Sequence, residues 1–380
     1  MKKLLFVIPS FAIGGITSSL RSLLASLDYN EVEVDIFCRQ KIGPMKDAFP
    51  RAEILPENIW LSASIENGTW VKKSFFQFFK GIRVCFRMVG VDMNQVYGKI
   101  GGKQLKTDKY DVVISFHEGL SPIVCYYPAK KRVAWIHSDY SRHRAMIKKD
   151  ERLQYERYDS IVCVSEFARS VFTEIYPSLI TKTIAIHNII PINDIKGKAQ
   201  ADEDRDNRFL TDCYTIVSVG RLDPVKQFDR IPAIAADIKR LTDTPFRWYI
   251  IGGSRGYGEV DTFMTSIIME KHVEEVVILL GEKKNVYPYV SSANLYVCTS
   301  QSESFPLAVN EAKALGIPVV CNTFPSVRES LVDGEDGRIV SIDDMPEVIA
   351  DIMSRRVHFT EGEIDNDTPL RQFYELINLL

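Results

Sequence analysis

Short apolar runs alternate with longer stretches of helical period along most of this chain. Residues 4–8 (LLFVI) and 32–37 (VEVDIF) predict two strands, and residues 17–27 carry apolar positions at helical spacing between them. Residues 112–115, 132–136, 160–164 and 183–186 predict further strands. A polar stretch at 196–212 interrupts the series, which restarts with a strand at 215–219 and a helix near 228–239. Strands at 247–251, 276–280, 295–298 and 318–321 continue it. Such runs are apolar on both faces, which suits parallel sheets covered by helices on either side. Two series of this kind predict an α/β protein of two doubly wound, Rossmann-like domains, residues 1–195 and 196–365. In open α/β sheets ligands gather beyond the carboxyl ends of the strands, so the expected site is a cleft that the two domains face.

Two stretches stand outside that pattern. Residues 72–109 break the first series; Phe75, Phe76, Phe78, Phe79 and Phe86 interleave there with Lys72, Lys73, Lys80, Arg83 and Arg87. A basic amphipathic helix of this composition suits an anionic membrane surface, and equally a helix packing its aromatic stripe on the first sheet. Residues 369–380 carry Phe373, Tyr374, Leu376, Ile377 and Leu380 at helical spacing.

Charge sharpens the division. The net charge near −3 argues against nucleic acid as a partner, but residues 1–195 hold 27 Lys and Arg against 20 Asp and Glu, while the remainder holds 20 against 30. A first half at +7 beside a second half at −10 suits an anionic surface or acceptor on one side. The seven Cys are odd in number, sit mostly in apolar runs and lack zinc-ligand spacing, as expected of reduced core residues in a cytoplasmic protein. Lys2 and Lys3 precede too short an apolar run for an export signal, and no run reaches the ~20 apolar residues of a membrane span.

The chemistry concentrates at predicted strand ends. Residues 302–316 read SESFPLAVNEAKALG, which places Glu303 on a loop and Glu311 on the helix that begins near Leu307. A helix start offers unpaired N–H groups to an anion such as phosphate, and a carboxylate accepts two vicinal hydroxyls. Pro306 supplies no N–H, so the amides of its neighbours Ser304, Phe305 and Leu307 are left to meet a phosphate. Arg221 and Lys226, in GRLDPVKQFDRI, put two cations after another strand end, where they suit a diphosphate leaving group. Gly14 and Gly15 follow the first strand and allow close backbone approach, although they form no GxGxxG fingerprint. His117 and His137 each follow a predicted strand, with no neighbouring pattern of metal ligands. Ser165 reads as a helix N-cap; its flanks lack a nucleophile elbow.

Together the Arg221/Lys226 and Glu303/Glu311 motifs resemble those of the retaining glycosyltransferases of family 4, among the group 1 glycosyltransferases of bacterial surface polysaccharide synthesis. The resemblance runs over nearly the whole chain, most strongly over 215–340. It implies the GT-B fold, with a last helix, 366–380, crossing back to the first domain. It assigns Arg221 and Lys226 to the donor diphosphate, Glu303 to the transferred sugar and leaving phosphate, and Glu311 to the ribose. Gly14–Gly15 resembles the mobile first loop, His117 the active-site histidine, and Arg169 and Asn188 residues of the interdomain side. The loop 323–329 (TFPSVRE) departs from the family in lacking paired glycines, although Glu329 is kept.

The implied activity is transfer of a hexosyl or N-acetylhexosaminyl group, with retention, from a nucleotide diphosphate sugar to a glycan or lipid-linked saccharide hydroxyl. UDP is the default donor and GDP stays open. The expected enzyme needs no cofactor and no metal and is cytoplasmic, with peripheral attachment to the inner face of the cytoplasmic membrane as the option that residues 72–87 offer. Two alternatives stand beside it: a non-catalytic nucleotide-sugar or glycan-binding protein, and a GT-B sugar-nucleotide epimerase.

Overall fold

The computed structural model describes residues 1–56, 92–142, 151–201, 206–253, 258–355, 359–360 and 362–379. The basic, aromatic segment 72–87 lies outside the described residues. The chain divides into two compact units, Met1–Ile189 with Asn366–Leu380, and Ile190–Asp365.

The first unit is built on seven parallel strands: β1 (Lys2–Ser10), β2 (Val32–Gln40), β3 (Glu53–Ile54), β4 (Val112–Ser115), β5 (Lys131–Ile136), β6 (Ser160–Cys163) and β7 (Thr183–Ala185). Their order is β3-β2-β1-β4-β5-β6-β7, so the sheet grows outward in both directions from the β1/β4 pair. Leu4 to Ile8 of β1 are buried throughout, because helices cover both faces. Among those helices are α1 (Gly15–Ala25), α2 (Met93–Gln104), α3 (Ser121–Val124), α4 (Glu151–Tyr155) and α5 (Glu166–Ile175). The chain's last helix, Asp367–Leu376, also belongs to this unit. It buries Phe373 between Phe6 and Trp135, with ring centroids 6.3 and 6.2 Å away. Lys131 donates to its C-terminal carbonyl at Leu376, 2.6 Å, and the Tyr374 hydroxyl accepts from the Asp28 amide, 2.8 Å.

The second unit opens with α6 (Ile192–Ala199) and holds six parallel strands. These are β8 (Tyr214–Val219), β9 (Phe246–Ile251), β10 (Val277–Gly281), β11 (Leu295–Cys298), β12 (Val319–Asn322) and β13 (Gly337–Val340), in the order β10-β9-β8-β11-β12-β13. Helices α7 (Ile231–Leu241), α8 (Gly258–Glu270), α9 (Tyr287–Ser291), α10 (Leu307–Ala314) and α11 (Met345–Arg355) complete it, and the terminal helix is α12. Strand β9 shows why its sequence lacks a polar face. Trp248 and Ile250 enter one core with Ile234, Ile238 and Ile349, while Tyr249 and Ile251 enter another with Val309 and Ala312.

The units divide at Ile189/Ile190, six residues before the boundary expected from the polar stretch. The reason is α6, whose Ile195 is fully buried with Ile190 and Ala314, against Tyr287, Leu307 and Leu315 of the second unit. Polar composition marks the exposed face of that helix rather than the point where the chain changes unit.

Candidate active site

In the second unit the loops after β8 and β11 are stitched together by backbone. Asp223 caps a short 3-10 turn, Pro224–Lys226, by accepting from the Val225 amide, 3.1 Å. The Gln301 amide donates to the Val225 carbonyl, 2.8 Å, and the Thr299 hydroxyl to the Lys226 carbonyl, 2.6 Å. This brings the Lys226 ammonium to 2.5 Å from Glu303 Oε1, with side chains only 20% and 17% exposed. The same oxygen accepts from the Ser300 hydroxyl, 2.7 Å. Ser326 donates to the Glu303 carbonyl, 2.6 Å, and Asn322 to the Ser300 carbonyl, 3.0 Å, so the backbone on both sides of the carboxylate is held. Burial works against the charge on Lys226, but the Glu303 carboxylate outweighs it and holds the ammonium above its ordinary range. Arg221 is half-exposed and lies 3.9 Å from Asp223.

The ends of β8 and β9 are set by a glycine. Gly252 has φ +151°, and a Cβ on it would lie 1.7 Å from the Gly220 carbonyl oxygen, so only glycine lets the two chain ends pass. Arg221 leaves the sheet directly after this contact.

The first turn of α10 follows Glu303. Pro306 occupies its N-cap position and no side chain caps the helix; the Leu307 amide turns back to the Phe305 carbonyl, 3.0 Å, so an anion would have to meet other amides of this first turn. Ser304, Phe305 and Leu307 are half-buried and Pro306 is buried. The Phe305 and Leu307 side chains pack with Ile190, Ile195 and Ala314, which turns both away from a direct side-chain role. One turn on, Glu311 Oε1 accepts from the Tyr287 hydroxyl, 3.3 Å. The loop expected to close over phosphates forms a packed 3-10 turn, Pro325–Glu329, with Ser326 and Val327 buried. Its Pro325–Ser326 step supplies a hydroxyl to Glu303 rather than glycine mobility.

In the first unit Gly14 precedes α1 in extended conformation, and a Cβ there would meet nothing within 4 Å. The free space required by the reading of Gly14 and Gly15 exists, but the protein itself does not demand glycine at 14. Gly15 begins the helix, whose N-terminus has no side-chain cap. His117 Nδ1 accepts from the Gly119 amide, 2.8 Å, so the neutral ring carries its proton on Nε2.

His137 differs sharply. Its ring lies 4.7 Å from Phe116 and nearly parallel to Trp135 at 6.4 Å, and its Nε2 is enclosed without a hydrogen-bond partner among the described residues. Burial, assisted by the nearby His117, pushes its pKa down to about 3. Glu118 fixes the backbone beneath it, accepting from the His137 amide at 3.3 Å.

Ser165 is the N-cap of α5, accepting from the Ala168 amide, 3.0 Å. Arg169 is occupied structurally: its Nε donates to the Thr183 carbonyl, 2.9 Å, and Nη1 meets Glu166, 3.0 Å. Asn188 accepts from the Ser19 hydroxyl of α1. All six described cysteines are free thiols and five are buried. Sequence reasoning passed over Ser300, Ser326, Asn322 and Tyr287. Ser300 had a readable signal, a hydroxyl three residues before a site glutamate; the others act only through tertiary contact.

A family model described as glycosyl transferases group 1 matches residues 200–357, the region that holds Arg221, Lys226, Glu303 and Glu311. The match spans most of the second unit. Among curated relatives, an N-acetylgalactosaminyltransferase of Campylobacter jejuni, named for a diphospho-undecaprenol-linked saccharide, is 30% identical over 42% of this chain and 40% of its own. An uncharacterised 41.2 kDa protein of the cps region of Klebsiella pneumoniae is 25% identical over 47% of each. The chain thus spans about half the length of the curated relatives it matches. Among solved structures, HepE from Anabaena in complex with UDP aligns over all of both chains with TM-score 0.68 at 15% identity. With such neighbours, the two parallel sheets of this α/β chain constitute a GT-B fold.

Proposed function

We propose that this chain is a retaining glycosyltransferase. It moves a hexosyl or N-acetylhexosaminyl group from a nucleotide diphosphate sugar, UDP-linked by preference with GDP open, to a hydroxyl of a glycan or lipid-linked saccharide in surface polysaccharide synthesis. The observation that carries this reading is the enclosed Lys226–Glu303 pair beside the uncapped start of α10. A half-buried ammonium beside an uncapped helix start suits a diphosphate on which negative charge grows as the sugar departs.

In this reading Arg221 and Lys226 stabilise the leaving diphosphate, together with backbone amides of Ser304 and Phe305. Glu303 orients the transferred sugar and Glu311 accepts the ribose hydroxyls. His117 donates from Nε2 to a sugar hydroxyl, and Gly14–Gly15 approaches the donor phosphates. The departing phosphate oxygen takes the proton of the incoming hydroxyl as the glycosidic bond to phosphate breaks, so no side chain serves as general base. No metal enters the scheme, and turnover is expected to persist in excess EDTA.

The acceptor class is supported by the Campylobacter relative's named lipid-linked substrate and by the Klebsiella relative's cps context. No helix among the described residues is long and apolar enough to cross a membrane. Peripheral attachment to the inner face of the cytoplasmic membrane is proposed from the charge pattern of 72–87. Replacing Lys72, Lys73, Lys80 and Arg83 together with Gln tests it, and undiminished binding to anionic vesicles would remove that part of the proposal.

The deciding experiment is a binding screen across nucleotide sugars, followed by mass analysis of products after addition of membrane lipid extract. A sugar-extended acceptor supports the transferase. Binding without product favours a non-catalytic binding protein, and an isomerised donor without acceptor favours an epimerase.

A further inference from the structure

Glu311 does not stand alone on its helix. Tyr287, the first residue of α9, directs its hydroxyl to Glu311 Oε1 at 3.3 Å. Its backbone is anchored separately: Asn285 Oδ1 accepts from the Tyr287 amide, 3.2 Å, while Asn285 Nδ2 donates to the Lys198 carbonyl at the end of α6, 2.8 Å. The ring is half-buried against the cluster of Ile195, Leu307 and Leu315. A phenol held at both ends therefore meets a carboxylate whose own side chain has three rotatable bonds.

We propose that Tyr287 is a positioning residue for Glu311 and sets how strictly the site distinguishes a ribonucleoside diphosphate from its 2′-deoxy counterpart. This rests on the assignment of Glu311 to the ribose. A phenol donates but one proton, and it occupies one lone pair of Oε1. The carboxylate is then restrained in rotation at Oε1 when it meets the two vicinal hydroxyls. A free glutamate loses considerable side-chain freedom on binding, and a glutamate already held loses less. Preorganisation of this kind favours the ligand that uses both acceptor sites, so it sharpens the preference for ribose over 2′-deoxyribose rather than raising affinity for every ligand alike.

The test uses the full-length chain and isothermal titration with UDP, 2′-deoxy-UDP, GDP and 2′-deoxy-GDP. Three proteins are compared: wild type, Glu311→Ala and Tyr287→Phe, the last keeping the ring and losing only the hydroxyl. Circular dichroism and thermal midpoint establish that each is folded. The expected result is a wild-type preference for the ribo form, its loss in Glu311→Ala, and in Tyr287→Phe about a fivefold to tenfold weakening for the ribo form with little change for the deoxy form, as loss of a hydrogen bond to a charged group implies. A merely structural role for Tyr287 would weaken both forms equally, and that outcome overturns the inference while leaving Glu311 in place. Full discrimination in Tyr287→Phe overturns it likewise. Discrimination that survives in Glu311→Ala overturns the ribose assignment, and the inference falls with it. Absence of binding by any of the four ligands removes the proposed function itself.

Discussion

Lys226 and Glu303, 77 residues apart in sequence, form a 2.5 Å ion pair at the ends of neighbouring strands, and Ser300 donates to the same carboxylate oxygen. The ammonium is therefore neutralised before any ligand arrives. An incoming diphosphate competes with Glu303 for it, and the energy of that exchange depends on how negative the phosphate has become. A cation placed in this way stabilises the developing leaving group more than the ground state.

Lys226→Ala is expected to lower kcat about a hundredfold, on the order of 3 kcal/mol of transition-state stabilisation, with donor affinity changed less. Steady-state kinetics on protein of native circular dichroism check this. Undiminished turnover would assign the leaving group to another cation, with Arg221 the first candidate.

Ser300→Ala removes one of the donors to Glu303 Oε1 while leaving the ion pair. A fall in kcat of about tenfold is expected, since a hydrogen bond to a charged group contributes about 1.5 kcal/mol. The unfolding midpoint should move little. A change confined to stability, with turnover intact, would make Ser300 a structural residue only.

The architecture was legible because strands buried on both faces declare themselves as unbroken apolar runs, as in residues 4–8 (LLFVI) and 248–251 (WYII). That Lys226 and Glu303 both lie on strand-end loops was legible for a related reason, since each loop follows such a run and strand ends converge at one edge of a parallel sheet; their ion pair was not legible. What was not legible depends on distant polar partners. Nothing in 323–329 announces that Ser326 reaches the Glu303 carbonyl, and nothing near Tyr287 points to Glu311, 24 residues on. The membership of α6 was hidden because one fully buried residue, Ile195, decides it within an otherwise polar stretch.

Lys313 and Asp336 form a buried pair at 2.6 Å, 6% and 5% exposed, and Lys313 also donates to the Ser330 carbonyl, 2.5 Å. The pair ties α10, the helix of Glu311, to the turn before β13. Lys313→Met leaves Asp336 charged and without its ion-pair partner, although the carboxylate still accepts from the Val332 amide, 2.7 Å. The substitution is expected to destabilise the protein by about 3–5 kcal/mol. The double replacement Lys313→Met/Asp336→Leu removes both charges and should recover most of that loss. Urea unfolding of the three proteins measures the coupling. Equal losses in the single and double variants would mean that packing, and not charge, holds this turn.

His137 gives the fold a pH dependence that can be signed in advance. Its pKa lies near 3 in the folded protein because burial penalises the imidazolium, against an ordinary value of 6.5. The unfolded chain therefore binds more protons between those limits, and stability rises with pH through that window. The contribution of His137 is fully present above about pH 6.5 and is lost progressively as pH falls towards 3. Between pH 7.5 and 5 the expected loss is about 2 kcal/mol from this residue alone. His137→Phe keeps an aromatic ring between Phe116 and Trp135 and removes the titrating group. Urea unfolding at the two pH values should show wild type losing that increment relative to the variant. Parallel losses in both proteins would show that His137 reaches solvent easily enough to protonate in the folded state, and its enclosed Nε2 would then be open to a proton within the native ensemble.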